Sequence, residues 1–167
     1  MTLHAHRLED VFADIARVGE ALGLSSEADE LVLGLRYRLH RIATHVPASP
    51  RPRGLVLEWL DPPYVAGHWV PDLVAAAGGM DIAGQPGARS VTRPWRELRA
   101  LGAERVIVAL CGFDVPRARR EVDLVTDPDA RALLSGNVAF LDGNAYTSRP
   151  GPRLVEAAEL LAALMRG

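Results

Sequence analysis

An apolar strand runs directly into a helix in residues 55–77, LVLEWLDPPYVAGHWVPDLVAAA. The first six residues form a short apolar run of strand length, and the last nine, from residue 69, are predicted to form a helix. The loop between them is rich in proline, glycine and aromatic residues. A strand followed closely by a helix is the repeating unit of an α/β fold.

The same alternation continues to the end of the chain. Residues 105–110, RVIVAL, form a continuous apolar run, typical of a strand buried on both faces of a sheet. Residues 137–141, NVAFL, give a third strand. Helices are predicted over 91–101, 115–125, 129–134 and 152–165, with a minor strand over 81–83. This order predicts a single three-layer lobe around a mostly parallel, doubly wound sheet with right-handed crossovers.

A long helical segment precedes the lobe. Its apolar residues recur at three- and four-residue steps until Gly23 closes a first helix. A second helix opens at Ser26 with a capping-box pattern and is predicted to end at Pro47. The chain then divides into residues 1–47, which are helical, and residues 54–167, which form the α/β lobe.

Composition excludes several classes of protein. The 167 residues are 49% hydrophobic and 24% charged, with a net charge of -2, which suits one globular domain with a proper core. A near-neutral chain is not expected to bind nucleic acid. Cys111 is the only cysteine, so neither an intrachain disulfide nor a thiolate-only metal cage is possible.

The sequence also bears on location. Acidic residues occupy the start of the chain where a signal peptide would need an apolar core. No uncharged run is longer than that of residues 62–71, which is half of the ~20 residues that a membrane span needs. Taken by itself, the sequence predicts a soluble protein that stays in the compartment where it is made, the cytoplasm.

Candidate functional residues follow the three main strands. Ligands of open parallel sheets bind beyond the carboxyl ends of the strands. Two of the three Trp, two of the three Tyr and the only Cys of the chain fall at these ends. Aromatic groups with a few polar neighbours favour an organic ligand over a catalytic cleft. The candidates are Glu58, Trp59, Asp61, Tyr64, His68 and Trp69 after the first strand, Cys111, Gly112 and Phe113 after the second, and Asn144, Tyr146 and Arg149 after the third.

Several candidates also have a purely structural interpretation. Trp59 and Trp69 could pack the sheet against a helix, and His68 could be a cap or a surface residue. Cys111 follows an apolar strand, where cysteine is commonly a small buried hydrophobic residue. Glu58 ends an apolar strand, where an unpaired carboxylate is costly, so it should bond a helix N-terminus or an arginine, or else face a ligand.

Signatures of enzymes are mostly missing from the sequence. The glycine-rich GGMDIAGQPG follows a helix, whereas a dinucleotide-binding fingerprint follows a strand, and neither a GK[ST] loop nor a G-x-S-x-G elbow occurs. Cys111, His68 and Asp142 could serve as nucleophile, base and orienting acid, but their spacing does not support it. No metal-ligand spacing occurs within the sheet. We therefore expect no catalysis, no resident cofactor and no metal centre.

Four stretches of the chain carry a family resemblance. EWLDPPYVAGHWVPDLVAAAGG at 58–79 resembles the signature stretch of cobalamin-binding proteins among the class III periplasmic substrate-binding proteins of ABC importers. PWREL at 94–98, RVIVALCGFD at 105–114 and FLDGNAYTSRPGPRLVEAAELLA at 140–162 match in order. The leading helical segment is similar to the stretch that enters the family's backbone helix, which bridges two lobes.

The resemblance implies non-covalent capture of a ligand. The family holds cobalamin, iron-siderophores or haem in a shallow cleft between two α/β lobes. The three groups of strand-end candidates would be the walls of the C-terminal lobe, with cobalamin or a similar metal chelate as ligand. The membrane subunits of an ABC importer would be the partner, and the location would be periplasmic or at the cell surface.

The family's N-terminal lobe and export signal have no counterpart in the sequence. Either the start lies too far downstream, or the chain is a fragment, or it is a true single-lobe protein. In the last case a two-fold homodimer would restore a two-walled cleft. The alternative function is an interaction or structural protein that dimerises through its aromatic strand-end edge and binds no small molecule.

Overall fold

The computed structural model describes residues 2–45 and 50–166 and begins with a helical hairpin. Helix α1 spans Leu8–Leu22 and α2 spans Ser25–His45. Gly23 joins them in the left-handed region at φ 71°, a conformation that glycine adopts without a steric penalty. The two predicted helices are confirmed, while the predicted end of the second one at Pro47 lies outside the described residues.

The remaining elements alternate between strand and helix as expected. They are β1 (Arg53–Leu60), β2 (Pro63–Val65), α3 (Val70–Ala76), β3 (Met80–Asp81), β4 (Val91–Thr92), α4 (Trp95–Ala100), β5 (Arg105–Val108), α5 (Val115–Leu124), α6 (Pro128–Leu134), β6 (Val138–Phe140), α7 (Gly143–Tyr146) and α8 (Arg153–Arg166). None of the helices described is long and apolar enough to cross a membrane.

The sheet is parallel at its centre and antiparallel at one side. Its order is β4-β2-β1-β5-β6, and β3 pairs with the start of β1. Strands β1, β5, β6 and β3 are parallel, whereas β2 folds back on the end of β1 and pairs with β4. The predicted mostly parallel α/β sheet is confirmed.

Two local expectations were wrong. The proline-rich residues after β1 are not a free loop, because β2 returns along β1 with Leu57 opposite Val65. The predicted helix from residue 91 starts only at Trp95, since Val91 pairs with Val65 as strand β4 and Pro94 occupies the N-cap. A residue before proline is disfavoured in the helical region, which keeps the preceding residues extended.

Each face of the sheet has its own hydrophobic core, which makes the lobe three-layered. Alternate side chains of the strands point to opposite faces. On one face, strand residues such as Val56 pack with α1, α2, α3 and α8, including Phe12 and Leu161. On the other face, Leu57 packs with α4, α5 and α6, including Leu98.

Ion pairs also join the helical hairpin to the lobe. The Arg38 guanidinium donates to both carboxylate oxygens of Glu159 on α8, at 2.8 and 2.6 Å. The Asp72 carboxylate of α3 accepts from the Arg7 guanidinium and from the Leu8 backbone N–H. The hairpin therefore packs against α3 and α8 and is held there by both apolar and charged contacts.

Candidate functional site

The loops that follow β1, β5 and β6 meet at one edge of the sheet, which we call the strand-end edge (residues 58–69, 110–114 and 142–149). The Cys111 N–H donates to the Glu58 carbonyl at 3.0 Å, and the Asn144 N–H donates to the Phe113 carbonyl at 3.3 Å. The Gly112 N–H donates to the Ser148 hydroxyl at 3.1 Å. These bonds fix the three loops to one another as a single surface.

A glycine makes the closest approach between two of these loops possible. At Gly143, a Cβ atom would lie far inside van der Waals contact of the Leu110 carbonyl oxygen. The α7 helix that starts there is capped by Asp142, whose side chain accepts from the Ala145 N–H at 2.7 Å. The backbone after β6 is therefore packed directly against the backbone after β5.

Trp59 and Phe113 form an aromatic pair on the face of the edge nearer α5. Their ring centres are 5.3 Å apart with an interplanar angle of 66°, and 38% of Trp59 is exposed. The Trp59 indole N–H donates to the Asp61 carbonyl at 3.0 Å. The Arg117 guanidinium lies 3.7 Å from the Phe113 ring centre. Of the aromatic residues predicted at the strand ends, this pair lies together, with Trp59 exposed and Phe113 half-buried.

His68 lies on the other face, in a strained conformation. Its φ is +50°, which is uncommon for a residue with a side chain. The backbone holds it there, because its N–H donates to the Ala88 carbonyl at 2.6 Å and its carbonyl accepts from the Gly87 N–H. The imidazole stacks with that of His6, whose ring centre is 5.9 Å away, and contacts Trp69.

The remaining aromatic candidates are partly buried. Trp69 and Tyr146 pack against the core under α1, α3 and α8, and the Trp69 indole donates to the Thr147 carbonyl at 2.9 Å. Tyr64 is half-buried in β2, where it pairs with Trp59 and Thr92. Trp69 thus has the structural role that the sequence allowed as an alternative, and it links α3 to the loop after α7.

Glu58 is half-buried near the end of β1, beside His68. Burial raises the pKa of its carboxyl, and a hydrogen bond from the Ser90 hydroxyl and the nearby imidazole lower that pKa in part. Ser90 in turn accepts from the Gly67 N–H at 3.1 Å. Ser90 was not among the candidates, because it lies thirty positions after the end of β1 in a segment that has no motif of its own.

The polar candidates of the second and third loops face solvent. Cys111 is exposed, so its interpretation as a small buried hydrophobic residue was wrong; the apolar strand turns outward before it. Gly112 adopts φ 74° in that turn and is exposed, as are Asp61, Asn144 and Arg149. Among the residues described, no three His, Cys, Asp or Glu side chains are placed to hold a metal ion.

A groove of about 490 Å³ flanks the strand-end edge between the β1–β2 hairpin and the C-terminal end of α5. We call it the α5 groove. It is lined by Trp59, Leu60, Asp61, Pro62, Pro63, Trp95, Leu110, Phe113, Glu121, Leu124, Val125, Thr126 and Asp127. Only Trp59, Asp61 and Phe113 of the twelve candidates belong to it. Glu121 and Leu124 were missed because the sequence of α5 has the pattern of an ordinary surface helix.

Comparison with solved structures identifies the architecture. An ABC transporter substrate-binding protein from Listeria monocytogenes superposes with a TM-score of 0.85 at 17% identity, covering 99% of this chain and 67% of that one. The chain has the fold of the class III periplasmic substrate-binding proteins. An ABC-type Fe3+-hydroxamate transport system protein from Saccharomonospora viridis matches at 0.76 and 19%, covering 98% and 58%.

A third structure of similar fold was solved with a ligand. S. aureus IsdE complexed with heme matches at a TM-score of 0.77 and 17% identity, covering 97% of this chain and 66% of that one. The first eight matches run from 16% to 22% identity, so they establish the fold. This chain spans 57% to 67% of their lengths. No family model and no curated protein matches the sequence.

Proposed function

We propose that the strand-end edge is one wall of a binding site for a metal chelate, cobalamin or a similar ligand such as haem or an iron-siderophore. The observation that carries the proposal is the pair formed by exposed Trp59 and half-buried Phe113, at strand ends whose loops are fixed to one another by hydrogen bonds. A rigid aromatic surface binds a flat organic ligand without first having to be ordered.

The chemistry of the edge suits such a ligand. Trp59 and Phe113 present apolar ring surface, while Asn144 and Arg149 are exposed polar groups of the loop after β6. An amide and a guanidinium donate hydrogen bonds to the carboxylates and amides that surround macrocyclic and hydroxamate chelates. Structures of the same fold carry names that include heme and Fe3+-hydroxamate, which supports this ligand class.

The proposed role is capture and delivery to an ABC importer, without catalysis. Of the three residues that could form a nucleophilic triad, Asp142 already caps α7. The His68 imidazole lies between His6 and Trp69. Cys111 is exposed in the turn after β5. These contacts support a binding surface over a nucleophilic site.

Binding by this wall alone is expected to be weak. A ligand that contacts only one wall keeps its opposite face in water, and the entropy lost on association is then poorly offset. We expect dissociation constants of about 10–100 μM for the preferred chelate. Calorimetric titration with cyanocobalamin, hemin and ferric desferrioxamine measures each affinity separately.

Aromatic substitutions test the site itself. Trp59→Ala and Phe113→Ala are each expected to weaken chelate binding about three- to tenfold, the usual contribution of one aromatic contact. Tyr37→Ala is the matched control, since Tyr37 is an exposed aromatic residue on α2, away from the edge. Equal losses in the control and edge variants would contradict the proposal.

The same preparation tests the dimer alternative by light scattering. If the edge is a protein interface, the chain should form a tight dimer that Trp59→Ala dissociates, and none of the three chelates should bind. That result would replace the binding function with an interaction function. A chain that binds a chelate through Trp59 supports the proposal in either oligomeric state.

A further inference from the structure

The α5 groove combines apolar walls with an acidic rim. Trp59, Trp95 and Phe113 supply aromatic surface, and Leu124 lies at its mouth with 72% of its surface exposed. A leucine at this exposure is in contact with water along most of its side chain, so an apolar group placed over it would gain from burial. The groove is thus a concave apolar surface that residues 2–45 and 50–166 leave uncovered.

The charges that line the groove are all negative. Asp61, Glu121 and Asp127 contribute three carboxylates, and no basic side chain occurs in the lining that the structure describes. Asp127 Oδ1 also caps α6 by accepting from two backbone N–H groups. Carboxylates around a low-dielectric wall favour a ligand of positive charge.

One aromatic ring of the groove already contacts a cation. The Arg117 guanidinium lies over Phe113, 3.7 Å from the ring centre, while the Trp59 ring approaches Phe113 edge-on. Arg117 belongs to α5 but is outside the lining. Trp59, with 38% of its surface exposed, is the ring best suited to a cation–π contact, while Trp95 reaches the groove from the core with 8% exposed.

From these observations we propose that the α5 groove binds a small organic cation, an amine or quaternary ammonium carried on an aromatic or short alkyl body. The body packs on Trp59, Phe113 and Leu124, and the charge lies beside Glu121 and Asp61. A volume of about 490 Å³ accommodates a molecule of this size. The α5 groove shares residues such as Trp59, Asp61 and Phe113 with the strand-end edge, whereas Glu121, Leu124 and Trp95 belong to the groove alone and test the cation site by itself.

The test uses three probes of similar size and different charge. Benzyltrimethylammonium, benzyl alcohol and phenylacetate are titrated into ¹⁵N-labelled protein while the three indole N–H signals are followed by NMR. The cation should shift the signals of Trp59 and Trp95 and leave Trp69, which packs on the opposite face of the sheet, unchanged. Benzyl alcohol should bind more weakly, and phenylacetate should not bind.

Charge variants give the second measurement. Glu121→Gln is expected to weaken binding of the cation about two- to fivefold, and added salt should weaken binding to the wild type more than to the variant. Glu30→Gln, an exposed glutamate on α2, is the matched control and should have no effect. Leu124→Ala tests the apolar wall at an exposed position where folding does not depend on the side chain.

Three results would overturn the proposal. The first is no shift of Trp59 or Trp95 at about 10 mM cation, where even a millimolar site would be nearly filled. The second is equal binding of the cation and phenylacetate. The third is an unchanged affinity in both Glu121→Gln and Leu124→Ala. Glu121 and Leu124 lie outside the strand-end edge, so their variants should leave chelate binding unchanged, and the failure of one proposal can be told from the failure of the other.

Discussion

Single residues explain why the strand-end edge is rigid, and Gly143 is the clearest case. A Cβ atom there would collide with the Leu110 carbonyl, and neither backbone segment can move without breaking the bonds between the loops. We predict that Gly143→Ala lowers the free energy of unfolding by about 2–4 kcal/mol. Urea denaturation measures the loss.

The same substitution at Gly34 should act in the opposite direction. Gly34 lies inside α2. Apart from the two adjacent residues and the backbone of its own helix, nothing lies within 4 Å of the place that an added methyl group would take. Alanine therefore adds helix propensity without a clash. Gly34→Ala is expected to stabilise the protein by about 0.5–1 kcal/mol. If Gly143→Ala stabilises the protein as Gly34→Ala does, the Gly143 contact does not limit stability.

Glu58 makes stability depend on pH in a direction that can be worked out. Its folded-state pKa is raised, mainly by burial, so the folded protein binds a proton more tightly than the unfolded chain does. Stability therefore falls as the pH rises from the ordinary glutamate value of 4.5 through the raised pKa. Asp81 shifts in the same direction and is unchanged in a Glu58 variant.

Replacement of Glu58 by glutamine should remove this dependence. The amide oxygen can still accept a hydrogen bond from Ser90, but it carries no charge to desolvate. We predict that Glu58→Gln is at least as stable as the wild type at pH 7 and that this difference shrinks towards pH 4. Parallel denaturation curves from pH 4 to pH 8 measure it. A variant that is less stable at pH 7 only would contradict the assignment.

At the scale of elements, the sequence predicted what depends on local pattern. The apolar run of residues 105–110 and the helical periodicity of residues 8–22 correspond to β5 and α1, because each pattern requires one type of element to bury its apolar side chains. Strand β2 was not predicted, since its three residues become a strand only by pairing with β1 and β4. Pairing between distant segments leaves little signal in a local window.

The candidate site shows the same division between local and distant information. Sequence order located Trp59 and Phe113 at strand ends on one edge of the sheet, and the structure brings their rings together. The sequence did not indicate that Trp69 packs against the core. Nor did it indicate that Glu121 and Leu124 line the same groove as Trp59. Those facts depend on which face of a strand or helix a side chain occupies after the layers have packed.

At the scale of the whole molecule, the helical hairpin and the sheet share one core. Phe12 of α1 is buried in the same cluster as Val56 of β1 and Leu161 of α8. Removing the hairpin would uncover the apolar residues of α3 and α8 that pack against it, at a large cost in free energy. The chain is therefore expected to unfold as one cooperative unit, although the sequence divides it into a helical segment and a lobe.

A substitution in the hairpin tests this cooperativity. Phe12→Ala should lower the free energy of unfolding by about 3–5 kcal/mol. If the core is shared, helical circular dichroism and tryptophan fluorescence should shift to the same lower midpoint, because Trp69 and Trp95 report the two faces of the sheet. If the hairpin melts alone, the circular dichroism would change first and the fluorescence midpoint would stay at the wild-type value.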